Sequence, residues 1–168
     1  MRYNSLMPDA PWTGDACSLV DAFRAGERSP LEELDATLAA IEASELNAFS
    51  HLDPEAARAA ATEADPSLPF GGVPLGIKEL EPVEGWPATH ASLLFRDEIG
   101  DHAGLQVTRL KGAGVVPVGM TTASEFGGLN ISTTKLNGVT GNAWDPSRTA
   151  GGPPSGPAAP VAGGRPTP

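Results

Sequence analysis

The spacing of apolar residues changes period near Pro69, and that change rules out any fold of one kind of element. Before it, Leu31, Leu34, Leu38 and Ile41 recur every three or four residues, the stripe of a helix packed on one face. After it, short apolar runs alternate with helical stretches, as α/β units require.

The helices are well punctuated. Ser18 begins a short one with Leu19 and Phe23, and Gly26 stands where a left-handed C-cap belongs. Ser29-Pro30-Leu31-Glu32 supplies an N-cap, a first-turn proline and a capping-box glutamate for a helix over 30–44. Asp53-Pro54 opens a third, Ala-rich helix reaching Ala64. Further on, 73–78 and 115–120 read as strands. Asp101 is expected to cap a helix through Leu110, and Thr122-Ala123-Ser124-Glu125 repeats the capping-box spacing, predicting another short helix. Loops are expected from Gly127 to Pro146. The last 19 residues hold six prolines and five glycines, a composition suited to a disordered tail over 151–168.

Charge and cysteine usage exclude several functions. Eleven basic against 21 acidic residues leave a net charge of −10, which repels nucleic-acid backbones and anionic membranes, so neither is an expected partner. Residues 1–70 carry 13 of the acids and four of the bases, a solvated acidic helix face in preference to a docking surface. Cys17 has no partner for a disulfide, and with His51, His90 and His102 scattered no metal-ligand spacing exists. No cofactor is expected. No secretory signal or membrane span is visible, so a cytoplasmic protein is expected.

Three segments carry chemistry. Phe70-Gly71-Gly72-Val73-Pro74-Leu75-Gly76-Ile77-Lys78-Glu79, Gly119-Met120-Thr121-Thr122-Ala123-Ser124-Glu125-Phe126-Gly127 and Gly141-Asn142-Ala143-Trp144-Asp145-Pro146-Ser147-Arg148-Thr149-Ala150-Gly151-Gly152 resemble, in order and spacing, the amidase signature family. The likeness runs from about residue 18 to about residue 164. It implies a partial amidase domain over 1–168, helical over 18–65 and α/β over 69–150, built as amino-terminal helices followed by the first strands and helices of a mixed sheet wrapped by helices.

The same resemblance implies a Ser-cisSer-Lys hydrolase that cleaves carboxylic amides through an acyl-enzyme. Lys78 matches its lysine, the general base. A lone cation after the apolar run Val73-Pro74-Leu75-Gly76-Ile77 is expected to be desolvated and so to favour the neutral amine a base needs; the competing reading pairs Lys78 with adjacent Glu79. Gly127 matches the loop lining the acyl site, where a glycine admits close approach of backbone to substrate; an ordinary C-cap after Phe126 is equally good. The family's serine-rich loop is altered. Pro153 stands where the bridging serine belongs and offers no hydroxyl, leaving Ser155 in a shifted register as the nearby hydroxyl. The family's nucleophile and oxyanion donors would follow Pro168, so the chain is expected to be a truncated form with little turnover.

The expected function is therefore an amidase acting on a small-molecule amide, inactive as written. The alternatives are a non-catalytic remnant or interaction module, and a fragment of an A-type subunit from a glutamine-dependent amidotransferase. The sequence offers no support for a homodimer. Phosphate binding by the Gly-rich tail fails because Gly151–Gly156 lacks the Lys-Ser/Thr of a P-loop.

Overall fold

The computed structural model describes residues 10–151. In chain order these form α1 (Ala16–Ala25), α2 (Pro30–Glu42), β1 (Phe49–Leu52), α3 (Pro54–Thr62), β2 (Pro74–Lys78), α4 (Leu105–Gly112), β3 (Val116–Thr121), β4 (Thr133–Thr134) and β5 (Gly138–Val139), with 3₁₀ turns at Leu93–Phe95 and Glu125–Gly127. A three-stranded sheet has the order β1-β3-β2, and β4 pairs with β5 in an antiparallel hairpin. Strand β1 runs antiparallel to β3. The bonds Val116 N–H to Val73 C=O and Glu79 N–H to Thr121 C=O advance in the same sense along β2 and β3, making that pair parallel and the sheet mixed.

Contacts divide the chain into two compact units. One holds residues up to Ala43, Asp53–Leu75 and Arg109–Val118; the other holds Ser44–Leu52, Gly76–Thr108 and the chain from Gly119.

The first unit is built on the helical stripe. Leu34 and Leu38 of α2 meet Ala57 and Ala61 of α3 and Val116 and Val118 of β3, with Leu31 and Ile41 at the margin. Ser29 Oγ accepts the Glu32 N–H at 3.2 Å while the Glu32 carboxylate accepts the Ser29 N–H at 2.7 Å, a complete capping box. Gly26 closes α1 in the left-handed conformation (φ 69°), as its position predicts.

In the second unit, Ile77, Val83, Val107 and Met120 form a core flanked by Trp86 and Ala103. A β-bulge between Phe49 and His51 shifts the β1–β3 register. Gly119 lies so close to β1 that a Cβ there would sit 2.2 Å from the His51 carbonyl oxygen.

Four sequence expectations are corrected. The stretch 18–65 is not helical throughout, because β1 lies within it, paired with β3. Asp101 caps no helix: α4 starts four residues later, and the Asp101 carboxylate instead contacts His102 Nδ1 at 2.6 Å. The capping box at Thr122–Glu125 does not form, because Thr122 Oγ1 is engaged with Thr140 Oγ1 at 2.6 Å and the Glu125 carboxylate accepts Ser92 Oγ–H, while Phe126 takes a positive φ of 52°, ending the turn after three residues. The segment 127–146 is not all loop, since it contains β4 and β5. Of the tail expected to be disordered, Gly151 forms an isolated antiparallel bridge with Ile131, and the rest lies outside the described residues.

Candidate active site

Strand β2 places the candidate lysine. Successive side chains of a strand point to opposite faces, so Ile77, 5% exposed in the core, leaves Lys78 to face away, half-buried at the strand end. Among the described residues no carboxylate lies within ion-pair distance of Lys78 Nζ.

The competing pairing with Glu79 does not occur. Glu79 is 4% exposed and engaged elsewhere. Its backbone N–H donates to the Thr121 carbonyl at 2.9 Å. One carboxylate oxygen accepts Thr89 Oγ1–H at 2.5 Å and the other accepts Asn137 Nδ2–H at 2.7 Å.

Both of those donors belong to short connections. Thr89 precedes a turn in which His90 and Ala91 have φ values of 49° and 59°, a strained conformation for residues bearing a Cβ. Thr89 Oγ1 holds that turn by also accepting the Ala91 N–H at 3.2 Å. Asn137 sits in the β4–β5 hairpin, its N–H on Thr134 Oγ1 at 2.9 Å and its carbonyl accepting Asn47 Nδ2–H at 2.7 Å.

The two connections form the walls of an open cleft of about 720 Å³: Ala91, Ser92, Leu93 and Leu94 on one side, Thr133, Thr134 and Lys135 on the other, with Glu125 between. Ser92 Oγ donates to Glu125 Oε1 at 2.6 Å. Gly127 ends the Glu125–Gly127 turn with φ 70°, its N–H on the Ser124 carbonyl. The left-handed backbone calls for glycine, and a Cβ there would also press on the Cδ1 end of the Leu80 side chain, two residues beyond Lys78, at 2.9 Å. The described residues hold no cluster of three or more His, Cys, Asp or Glu suited to a metal ion, and no helix long and apolar enough to cross a membrane. Ser155 lies outside the described residues.

The Amidase family profile matches residues 32–165. The chain belongs to the amidase family. Among amidase relatives, it is 37% identical over 153 residues to the A-type subunit of glutamyl-tRNA(Gln) amidotransferase from Chloroflexus aggregans, covering 86% of this chain and 31% of that protein. Its identity to the counterpart from Akkermansia muciniphila is 38%, over 84% of this chain and 30% of the relative. Among solved amidase-family structures, 6-aminohexanoate cyclic dimer hydrolase complexed with substrate superposes with a TM-score of 0.85 at 31% identity, over 90% of this chain and 32% of that one. The chain thus spans about a third of the length of these relatives.

Thr89, Ser92 and Asn137 were not legible as site residues. Their roles come from contacts 10 to 58 residues apart, for which a single sequence gives no local signal.

Proposed function

We propose that these 168 residues carry the base half of an amide C–N hydrolase acting on a small-molecule amide in the cytoplasm, with Lys78 as general base. The observation that carries this reading is a half-buried strand-end lysine without an ion-pair partner among the described residues, beside a glutamate committed to two other side chains. A lysine amine serves as a base in its unprotonated form, given a relay. In the Ser-cisSer-Lys scheme a bridging serine passes the nucleophile's proton to that amine and the nucleophilic oxygen attacks the amide carbon; the C–N bond then breaks as the proton passes to the leaving nitrogen, and water hydrolyses the resulting acyl-enzyme to the carboxylic acid and the free serine. Gly127 would line the acyl site.

Pro153 cannot relay a proton, and a serine in the shifted register at 155 is a poor substitute after two prolines, so the chain by itself is inert. The similarity to A-type amidotransferase components favours glutamine as a second substrate reading.

The test extends the chain with the remaining two thirds of the Chloroflexus aggregans relative and restores Pro153→Ser and Pro154→Ser. Amide hydrolysis should appear, and Lys78→Ala should lower kcat/KM by about 100-fold or more. The unmodified chain should not label with a fluorophosphonate. Hydrolysis by the unmodified chain that is lost on Ser155→Ala would overturn the assignment.

A further inference from the structure

Glu79 is the point where three parts of the candidate site meet. Its N–H ties it to the end of β3, one carboxylate oxygen holds the Thr89 turn that begins one cleft wall, and the other holds Asn137 of the hairpin that forms the opposite wall. Lys78 is its immediate neighbour. We propose that Glu79 is a positioning residue: its buried carboxylate sets the separation of the two cleft walls and fixes the strand end from which Lys78 projects.

The chemistry supports a role beyond filling space. Both oxygens accept, and an acceptor-only group with two oxygens can bind two donors from different loops at once, which a hydroxyl or a neutral amide of the same size does less well. The turn at His90-Ala91 is strained, and such a conformation persists only where surrounding bonds over-determine it; Thr89 Oγ1, shared between Glu79 and the Ala91 N–H, provides that constraint. Among the described residues Glu79 has no cationic partner, so its carboxylate answers to these two donors and not to Lys78.

This role rests on Lys78 being the base, and the experiment separates the two claims. In the 168-residue chain, amide hydrogen exchange is followed at Ala91 and Asn137, with the α2 amides as internal control, and Lys78 is followed by the carbon-13 resonance of its reductively methylated amine, assigned with Lys78→Arg. Glu79→Gln should lower protection at both walls by about tenfold or more, leave α2 unchanged and shift the Lys78 resonance. Thr89→Val should loosen the Ala91 side alone and Asn137→Ala the hairpin alone, each with a smaller Lys78 shift; these two milder variants decide the matter if Glu79→Gln unfolds α2. Unchanged exchange in the variants, or loosened walls with an unmoved Lys78 resonance, would overturn the proposal. An extended enzyme that keeps its activity on Lys78→Ala would instead refute the base assignment and leave these signals as expected.

Discussion

At the scale of single residues, the buried charges sit in the helical unit as well as in the site. Glu33 is 4% exposed; both its oxygens accept the Trp12 N–H, and Arg28 Nε lies 2.7 Å from Oε2. Arg28 also donates to the Ala10 carbonyl, so the pair fastens the segment before α1 to the start of α2. Burial pushes the Glu33 carboxyl above its ordinary value of 4.5, and this outweighs the opposing pull of the Trp12 N–H and Arg28. For an acid whose folded-state value is raised, the stability contribution is complete below 4.5 and is lost as pH rises through the folded value. The stability gap between the native chain and Glu33→Gln should therefore be widest in acid and narrow toward neutrality. Urea midpoints across that range measure it, and a gap that widens with pH would show that Arg28 attraction outweighs burial.

At the scale of elements, the helices were legible because their signals are local. Ser29, Pro30 and Glu32 specify the start of α2 within four residues, and Gly26 the end of α1. Ser29→Ala should cost about 1 kcal/mol, seen as a lowered melting temperature by circular dichroism. The first strand was not read from the sequence. Phe-Ser-His-Leu is short and without a buried residue, and what holds it is pairing with β3 some 70 residues later. Gly119 makes that pairing possible, so Gly119→Ala must displace β1 and should destabilise the protein by about 2 kcal/mol or more, beyond the range of a surface substitution. The false cap at Asp101 and the false capping box at Thr122 share one cause: both side chains found other partners, His102 and Thr140. The strand that carries Lys78 was legible for the opposite reason, since an apolar run ended by one charge is a sequence-local event, whereas the role expected of Lys78 rested on the family resemblance.

At the scale of the whole chain, large apolar side chains stand in water. Leu94 is 77% exposed, Leu129 63% and Phe126 57%, with Phe126 in edge contact with Phe95. Patches of this kind bind hydrophobic dyes and other proteins. The 168-residue chain should enhance the fluorescence of an anilinonaphthalene dye, and Leu94→Ser with Phe126→Ser should reduce that signal; equal fluorescence from both chains would locate the dye elsewhere.

The Asn47 side chain has a further consequence, in time. Its amide reaches the carbonyls of Asn137 and Val139, 90 and 92 residues along the chain, while Thr140 Oγ1 donates to the Asn47 carbonyl across 93. Closing loops of that length costs chain entropy before any bond rewards it, whereas α1 and α2 close over three or four residues. The hairpin that forms one cleft wall is thus fastened only across long loops, and a nascent chain cannot complete that fastening until Thr140 has been added.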